Sequence, residues 1–263
     1  MAKSSLKLNK TQLKEFLDEK AALYESPKFI GTDPIQIPHQ FSKKEDIEII
    51  GFLVATIAWG NRKSIITNGN KLINLLEENP YDFVINHSED DLDYLQNFVH
   101  RTFNGIDLIT FIKSLKNIYL NHGGLEEIFS KYKSKNSLQP AITEFKKLFF
   151  EIEHLRRTQK HVSDPSKKSA AKRINMFLRW MVRPNTAGVD FGIWNQIPAA
   201  VLSCPLDVHS GRVARDLGLL KRNQNDALAL AELDKQLRKL DAEDPVKYDF
   251  ALFGLSAFEN DLF

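Results

Sequence analysis

"SAAKRINMFLRWMVR", residues 169–183, places Ile174, Phe177, Leu178 and Met181 at spacings of three, four and seven residues. That is one apolar face of an α-helix. At 100° per residue, Lys172, Arg179 and Arg183 gather on the opposite face. The preceding "SDPSKKS" is turn-rich and brings Lys167 and Lys168 to the helix start, where Ser169 is read as the cap. Backbone N–H groups and positive side chains at such an end favour a phosphate.

The helical period extends outward in both directions. Leu13, Phe16 and Leu17 mark a first helix, and Ile47, Ile50, Leu53, Val54 and Ile57 a second that is apolar enough to be buried on most sides. Further helices are predicted at about 62–78, 105–121, 136–155, 208–220, 226–240 and 245–259, punctuated by Pro80, Gly105, Gly123-Gly124 and Pro140. The best strand candidate, Phe29-Ile30-Gly31, is short. The predicted class is all-α with two lobes: a helical bundle at 40–150 and a basic lobe at 151–222, with 1–39 and 223–263 packing on them.

With 263 residues, 43% hydrophobic and 27% charged, the chain can bury a substantial core. No run of about 18 apolar residues is present, so no membrane partner is expected, and "MAKSSLKLNKTQLKEFLDEK" lacks the apolar stretch of a signal peptide. A cytoplasmic location is the resulting expectation. One cysteine, Cys204, excludes an internal disulfide and a four-thiolate iron–sulfur cluster. The seven histidines show no metal-ligand spacing, so no cofactor is predicted.

Net charge is only +2, but its distribution is uneven. Residues 154–183 carry nine Lys/Arg and one acid, Asp164, whereas residues 223–263 carry nine acids and four bases. A concentrated basic stretch suits a polyanion, and it equally suits a solvated helix. His154 and His161 fall within it and are read as solvated or phosphate-facing. Trp59, Trp180 and Trp194 are read as packing residues, any of which could also stack on a base.

"CPLDVHSGRVARDLGLL", residues 204–220, starts another helix, with Asp207 at the cap position after Pro205. A cap needs no further reason for an aspartate, and His209 two residues later fits an ordinary surface histidine. The local pattern leaves both the structural and the chemical reading open.

Three segments together resemble the helix-hairpin-helix base-excision DNA glycosylases. "PLDVHSGRVARDLGL" (205–219) is similar to their aspartate-bearing segment, and "AKRINMFLR" (171–179) to the catalytic-lysine helix of the 8-oxoguanine-type branches. "GFLVATIAWGNRKSI" (51–65) resembles the early helix whose closing turn enters DNA. Nearly the whole chain also resembles a bacterial family of uncharacterised proteins through "IPHQFSKKEDIE", "AWGNR", "KRINMFLRWMVR" and "DPVKYDFAL". The glycosylase resemblance implies Lys172 as a Schiff-base lysine, Asp207 as the carboxylate at the sugar, and Asn61 with Arg62 as the probe that fills the gap left by an extruded base. It implies double-stranded DNA as partner, met also by Lys167, Lys168, Ser169, Arg173, Arg179 and His209. The implied activity is excision of an oxidised purine with an associated lyase step. A binding-only protein of the same fold and a monofunctional glycosylase are the alternatives, and the oligomeric state is left open. The turn before Lys172 lacks the Gly-x-Gly of that superfamily, and the thirty-five positions from Lys172 to Asp207 exceed its usual interval.

Overall fold

The structure, a computed structural model, describes residues 8–259. Among these the α-helices are α1 (Lys10–Tyr24), α2 (Pro27–Ile30), α3 (Lys44–Ile57), α4 (Arg62–Leu75), α5 (Pro80–Asn86), α6 (Glu89–Asp93), α7 (Gly105–Asn121), α8 (Leu125–Lys131), α9 (Gln139–Phe149), α10 (Lys172–Val182), α11 (Val208–Asp216), α12 (Ala227–Leu240) and α13 (Tyr248–Phe258). A two-residue hairpin, β1 (Val99–His100) with β2 (Phe103–Asn104), pairs antiparallel in the register Val99–Asn104 and His100–Phe103. The protein is therefore of the all-α class. No helix among the described residues is long and apolar enough to cross a membrane.

The chain divides into two compact units, each described by itself. One comprises residues 30–134 and 139–163. Its centre is α3, buried continuously from Asp46 to Ile57, as its unbroken apolar sequence requires. Phe52 of α3 stacks on Phe111 and meets Phe145 and Phe149 edge-on, at centroid separations of 5.4–5.7 Å. The acids of α3 reach partners: Asp46 accepts from the Tyr81 N–H at 2.8 Å, and Glu48 from the Tyr119 hydroxyl at 2.6 Å.

The other unit comprises, among the described residues, 8–29, 135–138 and 164–259. In it α13 packs against both α1 and α11. Leu17, Ala21, Cys204, Leu206, Val213, Leu233, Leu237, Tyr248 and Leu255 belong to one buried cluster. The segment 135–138 joins this unit through the Leu138 N–H, which donates to the Val201 carbonyl at 3.2 Å.

Several boundaries differ from the sequence reading for local reasons. Phe29-Ile30-Gly31 is no strand; its first two residues end the single turn α2. The helix expected to reach 78 stops at Leu75, since Glu77 and Glu78 both turn left-handed, with φ near 55°. The helix expected to reach 220 ends at Asp216, where Gly218 (φ 72°) lets the Leu219 and Leu220 N–H groups turn back onto the Ala214 carbonyl. The basic stretch 154–183 is no single lobe surface, because the units divide between Ser163 and Asp164.

Candidate active site

The approach to α10 is a tight turn built without glycine. Asp164 accepts from the Ser166 N–H at 3.0 Å and from its hydroxyl at 2.7 Å, closing the turn at Pro165–Lys167. Lys168 (φ 67°) and Ala171 (φ 47°) then take the left-handed conformation that side chains normally avoid. The turn is held from outside: the Lys168 carbonyl accepts from the Ala227 N–H at 3.0 Å, and Ser169 pairs antiparallel with Asp226. α10 therefore starts at Lys172 with Ala171 at the cap position. Ser169 is not the cap, for its hydroxyl accepts from the Ala171 N–H at 3.1 Å. Lys167 and Lys168 are exposed, and Arg173 is half-buried, which pushes its guanidinium down to about 10.

Asp207 caps α11, and the two oxygens of its carboxylate are used differently. Oδ1 accepts from the His209 N–H (2.8 Å), the Ser210 N–H (2.9 Å) and the Ser210 hydroxyl (3.2 Å). The Asp207 N–H donates to Ser210 Oγ at 3.0 Å, completing a capping box. Oδ2 lies 3.5 Å from Lys172 Nζ, and both side chains keep about a third of their surface exposed, 34% for Lys172 and 30% for Asp207. The Asp207 carbonyl accepts from Asn225 Nδ2 at 2.7 Å, and Asn225 Oδ1 accepts from Arg215 at 2.6 Å. A side chain at Gly211 would obstruct this arrangement, since a Cβ there would fall 2.7 Å from Asn225 Oδ1.

The segment between the two residues is closed by buried ion pairs. Arg179 does share the helix face of Lys172, but that face is covered: Arg179 is 3% exposed and Arg183 2%. Arg179 Nη1 donates to Asp249 at 2.6 Å, its Nε faces Asp190 at 3.3 Å, and its plane lies over Phe250 at 4.3 Å. Arg183 binds Asp190 at 2.7 Å, Glu25 at 2.8 Å and Asp244 at 2.8 Å. Arg179 is therefore withdrawn from the expected phosphate-facing set, because its donors are turned into the fold. Burial pushes the Asp249 carboxyl up, reinforced by the charge of Asp207 and opposed by Arg179 and Lys172. Burial likewise raises Asp190 against the pull of both arginines.

His209 is exposed, with Nδ1 3.4 Å from Ser256 Oγ. Asn61 and Arg62 belong to the other unit, where Asn61 caps α4 by accepting from the Ser64 N–H at 3.2 Å and both residues are exposed. His161 is buried against Asp107 at 3.3 Å, not turned to solvent, and Arg157 and Thr158 bind the same carboxylate. Trp180 and Trp194 are fully buried and present no face to a base, whereas Trp59 is half-buried beside His100. Among the described residues no group of three His, Cys, Asp or Glu is placed to hold a metal ion.

Two residues around the pair escape the sequence reading. Asn225 lies in the polar loop "KRNQND", and Asp249 is an acid at the start of an otherwise apolar helix. That isolation within α13 was the available sign of a buried partner.

The sequence model of a family described as "Protein of unknown function (DUF2400)" matches residues 33–258. No curated protein and no solved structure matches the chain.

Proposed function

The chain belongs to the DUF2400 family, and we propose that it is a DNA base-excision enzyme of the helix-hairpin-helix glycosylase type, with a lyase step, acting on an oxidised purine such as 8-oxoguanine. The observation that carries this reading is the pairing of Lys172 Nζ with Asp207 Oδ2 at 3.5 Å in a solvent-accessible position. The same carboxylate is immobilised by three donors to its other oxygen. Together these supply an amine and a fixed negative charge at one point, as nucleophilic cleavage of a glycosidic bond requires.

In this reading a flipped nucleotide enters with its sugar between the two groups. The bond from C1′ to the base breaks, the electron pair leaves with the base, and the base takes up a proton. Positive charge developing on the sugar faces Asp207 Oδ2. The Lys172 nitrogen, its proton released, bonds to C1′, and ring opening gives a protonated Schiff base. Loss of a C2′ proton then expels the 3′ phosphate. The exposed Lys167 and Lys168 at the turn before α10 serve the phosphate backbone.

Borohydride trapping on 8-oxoguanine and abasic duplexes tests the reading. A covalent adduct is expected with the native protein and none with Lys172→Ala. Base release that survives Lys172→Ala identifies a monofunctional glycosylase. Salt-sensitive duplex binding with neither adduct nor base release identifies a binding-only protein, and absence of binding removes nucleic acid altogether.

A further inference from the structure

Lys172 and Asp207 stand at the starts of α10 and α11, thirty-five residues apart in the chain, so their separation is set by contacts between distant segments. We propose that Asp249, in the first turn of α13, is the positioning residue that fixes Lys172 against Asp207. This rests on the reading of that pair as the reactive centre.

Asp249 grips both elements with one carboxylate. Its Oδ2 accepts from Arg179 Nη1 at 2.6 Å, and Arg179 stands two turns beyond Lys172 on the same face of α10. Its Oδ1 accepts from the thiol of Cys204 at 3.7 Å, three residues before Asp207. Pro205, with its fixed φ, lies between Cys204 and Asp207 and stiffens that short connection.

Each arm is also locked on its far side. Arg179 is backed by Asp190 and lies over Phe250. The Cys204 N–H donates to Asp234 Oδ1 at 3.0 Å. Arg238 donates to the carbonyls of Ala200 (3.0 Å) and Leu202 (2.6 Å), holding the run into Cys204. An apolar side chain at 249 could press the helices together. Directional bonds add to the buried apolar face of α10 in fixing the rotation of that helix about its axis. Asp249 is close enough for its charge to interact with those of both Lys172 and Asp207. Sites that must hold two groups within a fraction of an ångström depend on supports of this kind.

Two measurements test the assignment, one without DNA. Reductive methylation with formaldehyde and borohydride, read by peptide mass spectrometry, compares Lys172 with exposed Lys167 as internal reference. Asp249→Ala frees Lys172 from its carboxylate partner, so the Lys172:Lys167 labelling ratio rises by about threefold or more. On an abasic duplex the same variant lowers the trapping rate at saturating DNA by roughly tenfold or more, with duplex affinity unchanged. Cys204→Ala cuts the second arm and shifts both readouts the same way, whereas Cys204→Ser keeps a donor and restores them.

Folding of each variant is checked by circular dichroism. If Asp249→Ala does not fold, the Cys204 pair decides the matter. Folded Asp249→Ala with native labelling and native trapping overturns the proposal, as does equal loss in Cys204→Ala and Cys204→Ser. If the native protein forms no adduct, the reactive-centre reading fails on its own. The labelling series still shows whether Asp249 holds Lys172.

Discussion

The carboxylate of Asp207 caps α11 with Oδ1 and faces Lys172 with Oδ2, so its two roles can be separated by substitution. Asp207→Asn keeps the capping acceptor and removes the charge. Its unfolding free energy is expected to stay within a few tenths of a kcal/mol of native, while the proposed base excision is expected to be lost. Asp207→Ala removes both and costs about 1–2 kcal/mol in urea unfolding. Asp234 carries a different signature. It is buried, accepts from the Cys204 N–H, and burial raises its carboxyl to about 6. A proton on that group therefore favours the folded state. Its contribution is full below the ordinary aspartate value near 4 and disappears as pH rises through about 6. Asp234→Asn, which keeps the acceptor, removes this dependence. Relative to native, the variant gains on the order of 2–3 kcal/mol between pH 4 and 7 in urea titrations at each pH. An unchanged pH slope in the variant contradicts the assignment. Lys172 and Asp207 are singled out in the sequence by the resemblance of their two segments to glycosylase motifs, since the local pattern of each leaves its role open. Asp249 and Asp234 are not, because their partners lie far away in the chain.

At the scale of elements, the turn at 164–171 shows where a local rule fails and why. The sequence reads the stretch before Lys172 as turn-rich but without the Gly-x-Gly of the glycosylase hairpin, yet Lys168 and Ala171 both adopt the positive φ that glycine would take at no cost. The tie from α12, through the Ala227 N–H and the Ser169–Asp226 pair, imposes what local preference opposes. Lys168→Gly relieves this conformation at an exposed position. It is expected to raise stability by up to about 1 kcal/mol, with denaturant midpoint as the measure. Under the proposed function the same change removes one phosphate contact, so duplex affinity is expected to fall and the slope of log affinity against log salt to lose about one unit. Stability and binding thus move in opposite directions, whereas a turn of no functional consequence shifts stability alone. The helices themselves were readable wherever apolar spacing was strong: 105–121 was predicted with its observed bounds. The hairpin at 99–104 was missed because two residues per strand are too few for alternation to register.

At the scale of the molecule, the sequence reading separated lobes by composition, whereas the observed units are assembled from discontinuous segments. The N-terminal helix α1 belongs with α13, and 135–138 belongs with residues after 164, through contacts that no local period announces. Arg183 shows the physical basis of one such assembly. Its guanidinium joins Glu25 from just beyond α1, Asp190 from the connection after α10, and Asp244 from the turn before α13. The same residue looked like an exposed base on a polar helix face. Arg183→Met removes the one cation shared by these three acids and leaves their negative charge crowded in a largely buried place. The expected cost is about 3–5 kcal/mol at neutral pH. It can be followed through Trp180 and Trp194, both buried in this unit, in a Trp59→Phe background. Because burial already raises Asp190 toward its protonated form, lowering the pH through the carboxylate range supplies the missing neutralisation. The deficit of Arg183→Met is therefore expected to shrink toward pH 4. A deficit independent of pH means that Arg183 holds the unit together by packing of its long side chain over Phe250, not by its charge.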